Sequence, residues 1–329
     1  MSRQSWKRQR PKSTRSWPDM AFTVTASVAG RTRKARRALT RALWPWLLLL
    51  PAFISLGSVS FYPILNGLYL SLTDSSLITQ SDNFIGLANY TQLIADPAFW
   101  NAWWHTIWFT TASTVLETLI GLAMALILCE TFAGRGMIRA AMLVPWAMPT
   151  VVTSKMFGWL FDGQHGIINF ILLHMGLIDQ NVNWYGSPDT ALITIIIADV
   201  WKTTPFMALL LLTGLQTVPK SLMEAARMDG AKSWAIFWNI RLPLLLPTLL
   251  IAGLFRALDA FRIFDLVYVL TGGGPADSTE TLSTLSYKVL FSTLQFGYGS
   301  AMSTAMFVTE GVIAVVFCVF LVRQIRRTT

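Results

Sequence analysis

The chain has 329 residues, of which 53% are hydrophobic and only 13% are charged, too few charges for an ordinary soluble domain. Its net charge of +9 is unevenly distributed, because residues 1–42 contain 12 of the 26 Lys and Arg residues and one acid. The rest of the chain is slightly acidic, so the charge does not indicate nucleic-acid binding. The basic segment is better explained as a disordered cytoplasmic tail beside anionic lipid.

Six apolar stretches are long enough to cross a membrane as helices, and they predict an all-α membrane protein with about six transmembrane helices. We place these spans at 43–72, 105–129, 140–161, 190–215, 244–270 and 301–322. Prolines within the first span predict a kink there. After the basic tail, residues 43–104 are expected to form the first transmembrane helix with an outer loop. Residues 105–325 are expected to form the main transmembrane domain.

Lys and Arg are concentrated in alternate connections between these spans. Two lie in 130–139 and four in 216–243, whereas 73–104 and 162–189 contain none and 271–300 contains one. Cytoplasmic connections carry the excess of basic residues in membrane proteins. The sequence therefore predicts a multi-pass membrane protein with both termini in the cytoplasm.

The most informative segment is 217–243, a polar stretch between the fourth and fifth spans. Pro219 is suited to the start of a helix, and Ser221 and Glu224 have the spacing of a capping box. Gly230 is suited to its end, because glycine enters the left-handed conformation without steric cost. These signals predict a short helix that begins near Pro219 and ends before Gly230.

A second short helix is expected after Gly230, before Pro243 opens the fifth span. Trp234, Phe237 and Trp238 follow helical spacing and would share one side of it. No neighbouring segment is available to cover this apolar side. The two helices therefore form a hairpin with the properties of a docking surface.

The spacing of this hairpin resembles a known motif. Glu224, Ala225 and Ala226, then Gly230, Ile240 and Leu242-Pro243, match the EAA loop of ABC importer permeases without a gap. The resemblance implies a type I ABC importer permease fold, in which the EAA hairpin couples the spans to a cytoplasmic ATPase dimer. It also implies that the protein lies in a bacterial or archaeal cytoplasmic (inner) membrane. The implied coupling residues are Glu224, Ala225, Ala226, Asp229, Gly230, Trp234 and Phe237.

The predicted outer segments narrow this resemblance. The glycines of 271–274 with Pro275, followed by Thr279, Thr281, Leu282 and Tyr287, resemble the loop before the last span of carbohydrate permeases. Gly166 and Asn169 resemble the GxxN that follows their third span. The segments VWKTTPFM and FRALDAFRIFD look most like permeases for the disaccharides trehalose and maltose. The resemblance implies three partners: a second homologous permease, the ATPase dimer, and an extracytoplasmic sugar-binding protein or lipoprotein.

Charged residues inside the predicted spans need partners, because each would cost roughly 2.5–3.5 kcal/mol facing lipid. There are nine of them: Glu117, Lys155, Asp199, Lys202, Arg256, Asp259, Arg262, Asp265 and Glu310. Four of them on the fifth span alternate in sign every three residues, namely Arg256, Asp259, Arg262 and Asp265. Asp199 and Lys202 have the same spacing one span earlier. The charges either lock helices together or line a path for a sugar. The candidates for that path are Trp201, Lys202, Thr203, Thr204, Asp259, Arg262 and Asp265.

Motifs for catalysis or metal binding are missing from the sequence. It contains no GxxxxGK[ST] phosphate loop, and its three histidines lack metal-ligand spacing. We therefore expect a non-catalytic subunit without a cofactor or metal of its own, with ATP and Mg²⁺ bound by the partner ATPase. The alternatives are a permease for glycerol phosphate or another small polyol, a secondary transporter or channel, and a membrane-embedded enzyme.

Overall fold

The computed structural model describes residues 46–328, and every regular element in this range is a helix apart from two isolated β-bridges. The tail predicted for 1–42 lies outside the described residues. Contacts divide the chain after Leu65 into two units. The first contains most of helix α1 (Trp46–Leu70), and the second contains the remaining helices.

The second unit contains eleven described helices in chain order. They are α2 (Ala88–Ala95), α3 (Pro97–Cys129), α4 (Arg135–Ala147), α5 (Thr150–Leu160), α6 (Ile167–His174), α7 (Pro188–Gln216), α8 (Lys220–Met228), α9 (Ser233–Phe261), α10 (Asp265–Leu270), α11 (Leu282–Tyr287) and α12 (Phe296–Thr328). Five helices, α1, α3, α7, α9 and α12, are long and apolar enough to span a membrane, and α4 with α5 can supply a sixth span. The predicted all-helical membrane fold is confirmed.

The third predicted span, 140–161, is not one straight helix. It is the pair α4 and α5, which meet at an angle of 91°. The break follows from Pro149, because a residue before proline is pushed out of the helical conformation, and Met148 has ψ 136°. Helix α5 restarts directly afterwards, with the N–H groups of Val152 and Thr153 donating to the Pro149 carbonyl.

The fifth predicted span was wrong at both ends. Helix α9 begins at Ser233 inside the hairpin and ends at Phe261, so the expected second hairpin helix is its first part. The short helix and the span expected on either side of Pro243 are one continuous helix, which contains a π turn at Phe237–Arg241. Residues 265–270, expected to continue the span, form the separate helix α10.

Both long helices that widen into a π turn do so just before a proline. The π turns Gly57–Phe61 in α1 and Phe237–Arg241 in α9 end two residues before Pro63 and Pro243. A proline ring clashes with the carbonyl four residues earlier, which lies inside the π turn in both cases. The wider turn therefore lets each helix continue past its proline.

The core is built around α3, α7 and α9, with α12 packed against α9. Glycines allow the central helices to approach closely. A Cβ atom at Gly121 of α3 would lie 3.0 Å from Met207 Cγ, and one at Gly214 of α7 would lie 2.7 Å from Thr248 Cγ2. Close packing of this kind drives helix association where lipid removes the hydrophobic effect.

The GxxN segment organises the connection between α5 and α7. The amide of Asn169, buried in α6, donates to the carbonyls of Gly163 and Val182 and accepts from the Trp184 indole. A Cβ atom at Gly166 would clash with backbone atoms of Asp162. The N–H groups of His165 and Gln164, bonded to the Asp162 carboxylate, hold its pKa below the usual value. Both motif residues therefore shape this loop.

Candidate functional site

The hairpin ends its first helix as the sequence predicted. Gly230 has φ +80°, and its N–H donates to the Arg227 carbonyl. The N–H of Ala231 donates to the Ala226 carbonyl at 2.9 Å. These two bonds form a Schellman motif, which requires the left-handed residue that glycine provides. The direction in which the chain enters α9 therefore depends on Gly230.

The predicted capping box is absent. Pro219 takes the N-cap position with extended backbone, and the part of the chain that the structure describes supplies no side-chain cap to the first N–H groups of α8. Ser221 and Glu224 consequently lie inside the helix, each two residues too late for its place in a capping box. Glu224 instead projects from the exposed part of the hairpin.

No segment within residues 46–328 covers the apolar side of the hairpin. Met228 is 88% exposed and Trp234 is 71% exposed. Trp234, Phe237 and Trp238 contact one another, with ring centroids 5.3–6.3 Å apart. Among the predicted coupling residues, five are exposed and two, Ala226 and Phe237, are half-buried. The hairpin presents a compact aromatic surface together with a charged helix.

Arg241 ties this hairpin to the rest of the chain. It lies at the end of the π turn in α9, and its Nε donates to Met223 Sδ of α8 at 3.2 Å. Its Nη2 lies 3.5 Å from Glu130 Oε1, directly after α3. The side chain therefore holds α8 against α9 and links both to the end of α3.

A buried network of charges, here called the charge hub, joins the three central helices. Arg256 of α9 donates from Nε and Nη2 to Glu117 of α3, and from Nη2 to Asp199 of α7. Its Nη1 donates to Asp259 at 3.0 Å, and Thr203 donates to Glu117 at 2.6 Å. The side chains of Arg256, Glu117 and Asp199 are at most 6% exposed. The hub therefore pairs charges that lipid could not solvate.

The observed partners of the intramembrane charges differ from the predicted ones. Only Arg256 and Asp259 of the expected i,i+3 ladder are bonded to each other. Asp199 pairs with Arg256 and not with Lys202, and Arg262 pairs with Glu310 of α12 at 3.5 Å. Because these contacts cross between helices, spacing along one helix could not identify them.

A polar cavity of about 410 Å³ opens beside the hub. Its walls come from α4, α7 and α9, and its lining residues are Trp146, Thr203, Phe206, Leu210, Phe255, Arg256, Asp259 and Arg262. The rings of Trp146 and Phe206 are stacked with centroids 5.1 Å apart. The side chain of Asp259 is 68% exposed and that of Arg262 61%. The cavity thus combines flat aromatic faces with one exposed acceptor and one exposed donor.

The structure divides the seven predicted path residues between several places. Thr203, Asp259 and Arg262 line the polar cavity. Trp201 and Thr204 line a different, apolar groove of about 540 Å³ on another side of α7. Lys202 is half-buried and lines neither of these two cavities, and Asp265 is exposed at the start of α10. The cavity therefore brings together three of the seven.

Sequence reasoning missed the aromatic part of the cavity. Phe255, Asp259 and Arg262 have i, i+4, i+7 spacing on α9, so one helix face carries all three. Phe206 stands three residues after Thr203 on α7, which is the same kind of signal. Trp146 could not be placed, because the sequence did not show that α4 bends away from α5.

Comparison with protein families gives one matching family over most of the second unit. Residues 117–327 match the family described as "Binding-protein-dependent transport system inner membrane component". This region includes the hairpin and all the residues of the charge hub.

Three curated relatives match over most of their lengths. The trehalose/maltose transport system permease protein MalF of Thermococcus litoralis is 40% identical over 80% of this chain and 88% of its own length. The trehalose transport system permease protein SugA of Mycobacterium tuberculosis is 40% identical over 90% and 92%. The sulfoquinovosyl glycerol transport system permease protein SmoG of Agrobacterium fabrum is 38% identical over 82% and 88%.

A similar fold is found among solved structures. A chain from the crystal structure of a bacterial ABC transporter that imports the acidic polysaccharide alginate superposes with a TM-score of 0.75. The match covers 90% of this chain and 99% of the other at 20% sequence identity, which establishes a shared fold.

Proposed function

Because the chain belongs to the family of binding-protein-dependent transport system inner membrane components, we propose that it is the permease subunit through which an ABC importer takes up a carbohydrate, specifically a disaccharide such as trehalose or maltose. The observation that carries the proposal is the polar cavity within the spanning helices. Two of the relatives described above are permeases for trehalose, one of them also for maltose.

The cavity has the chemistry that a sugar needs. A pyranose ring presents an apolar face of C–H groups and a rim of hydroxyl groups. The stacked rings of Trp146 and Phe206 offer a flat apolar surface for the face, and Asp259 and Arg262 can accept from and donate to the hydroxyls. Few well-placed polar groups in a mostly apolar pocket are typical of small-molecule sites.

The same proposal assigns the remaining work to partners. A second homologous permease would close the open side of the polar cavity and complete the pathway. A cytoplasmic ATPase dimer, which binds ATP and Mg²⁺, would dock on the exposed hairpin around Trp234 and Glu224. An extracytoplasmic binding protein would deliver the sugar on the opposite side of the inner membrane, with both termini of this chain in the cytoplasm.

Uptake of labelled trehalose and maltose by a strain without the native gene tests this function. Trp146→Leu removes one ring of the stacked pair and is expected to lower uptake about tenfold, since about 1.4 kcal/mol corresponds to that factor. Trp201→Leu is the matched control, because Trp201 lines the apolar groove and not the polar cavity. Equal uptake by wild type and Trp146→Leu would remove the cavity as the sugar site.

A second candidate substrate is an anionic polyol such as glycerol phosphate. The observation in its favour is Lys202, which is half-buried near the hub and has no ion pair within residues 46–328. A cation without an ion pair near the pathway could balance a negative ligand. Labelled glycerol phosphate should then be taken up by wild type and not by Lys202→Met, while a sugar permease would show no uptake of it.

A further inference from the structure

A second group of aromatic side chains lies beyond the polar cavity. Four aromatic residues, here called the four-ring cluster, come from the α9–α10 link, α10, the end of α11 and the π turn Lys288–Ser292 that follows α11. They are Phe264, Tyr268, Tyr287 and Phe291. Ring centroids of Phe264 lie 5.1 Å from those of both Tyr268 and Tyr287. Tyr287 lies 5.3 Å from Tyr268 and 5.0 Å from Phe291. The four rings therefore form one continuous surface.

The segment that carries two of these rings is firmly held. A capping box between Thr281 and Thr284 fixes the start of α11. The Leu282 N–H donates to Thr106 Oγ1 of α3 at 2.9 Å. Lys288, in the π turn, bonds to the carboxylate of Glu280, which is only 3% exposed. These tethers on both sides of Tyr287 fix the position of its ring before any ligand binds.

The cluster is nevertheless open to its surroundings. Phe291 is 62% exposed and Tyr268 is 47% exposed, while the other two rings are half-buried beneath them. Asp265 is exposed and lies one turn before Tyr268 on α10, so its carboxylate shares that face of the helix. A carboxylate beside an exposed ring disfavours a lipid chain as the occupant and provides a hydrogen-bond acceptor.

The cluster begins where the polar cavity ends. Arg262 lines the cavity, and Phe264 follows it after one residue. Two residues span at most about 7 Å, so the backbone that carries the first ring of the cluster lies close to the backbone of a cavity residue. A ligand that leaves the cluster along α9 therefore meets Arg262 and Asp259 next.

We propose that the four-ring cluster is a second carbohydrate subsite, which stacks a hexopyranose ring before that ring enters the polar cavity. The exposed rings of Phe291 and Tyr268 cover the apolar face of the sugar. The Tyr268 hydroxyl and the Asp265 carboxylate bond to its hydroxyls. This subsite rests on the proposed function, because it supplies the polar cavity with the same ligand.

The test measures occupancy of the cluster directly. A cysteine is placed at Ser292, exposed next to Phe291, with Cys129 and Cys318 replaced by serine in the complete importer in nanodiscs. Maleimide labelling at this site is then followed with increasing maltose, trehalose or mannitol. Mannitol has the hydroxyls of a sugar but no ring face, so only the two disaccharides should protect the cysteine.

Two ring variants and one control give the contrast. Phe291→Leu and Tyr268→Leu should each raise the sugar concentration for half-maximal protection about two- to tenfold, the range expected for loss of one aromatic contact. Phe84→Leu removes an equally exposed ring elsewhere in the chain and should leave protection unchanged. Two separate ring variants ensure that a folding defect in one leaves the other to be measured.

Uptake by the same complex separates the possible failures. If maltose or trehalose is taken up but neither protects the cysteine, the subsite is refuted and the proposed function stands. Ring stacking is also refuted if mannitol protects the cysteine as well as the disaccharides do. The same conclusion follows if both ring variants need no more sugar than wild type for half-maximal protection. If neither sugar is taken up, the proposed disaccharide function itself fails.

Discussion

Replacing Glu117 with alanine is expected to destabilise the protein far more than replacing Asp259, although both carboxylates bind Arg256. Glu117 is fully buried and accepts from two nitrogens of the guanidinium as well as from Thr203. Breaking one side of a buried ion pair typically costs about 3–5 kcal/mol, because a charge is left without a partner. Asp259 is 68% exposed, and such pairs contribute about 0–1 kcal/mol.

The two variants should therefore separate stability from transport. Thermal unfolding of the purified importer should show a clear loss for Glu117→Ala and almost none for Asp259→Asn. Sugar uptake should fall in Asp259→Asn despite normal stability, because Asp259 lines the polar cavity. Equal melting temperatures for Glu117→Ala and wild type would refute the role of the charge hub in holding α3, α7 and α9 together.

Three further predictions concern the hairpin, the orientation and the GxxN loop. The Gly230→Val variant should insert into the membrane normally but should no longer co-purify with the ATPase or take up sugar. Gly230 has a left-handed backbone, which costs a β-branched residue about 1–2 kcal/mol, so valine would redirect the entry into α9. Uptake at the wild-type rate with the ATPase bound would contradict this. Cysteines at Asp179 and Asp277 should react with an impermeant reagent from outside, and one at Lys232 should not; labelling at 232 would reverse the orientation. Asn169→Ala should lower the melting temperature, because it removes the donor to two half-buried carbonyls of its loop, those of Gly163 and Val182. An unchanged melting temperature would count against that role.

The hairpin could be found from the sequence because its signals are local. Gly230 ends a helix through its own backbone conformation, and the structure shows the expected positive φ. The exposure of Trp234 could be predicted as well, because the sequence offers no neighbouring apolar segment to cover it. The capping box was wrong because Pro219 took the N-cap position, and Ser221 and Glu224 were left inside α8.

The charges could be recognised but their partners could not. The cost of an unpaired charge in lipid correctly predicted that Glu117 and Asp199 need partners. Which cation they share depends on how α3, α7 and α9 pack, and Arg256 lies 139 residues away from Glu117 in the chain. Trp146 entered the cavity only because Pro149 bends the third span, and proline alone does not specify the direction of a bend.

The continuity of α9 gives the molecule a mechanical property. Trp234 in the hairpin and Arg256 in the hub belong to one helix and lie about 33 Å apart at 1.5 Å per residue. The hub clamps α9 to two other helices and can serve as a fulcrum, with a short arm of about 8 Å from Arg256 to Phe261. A sideways shift of about 4 Å at Trp234 would then move Phe261 by only about 1 Å in the opposite direction, since the arms differ about fourfold in length. A lever of this kind trades distance for force, so a weak, wide movement at the hairpin becomes a small and strong one at the end of the helix.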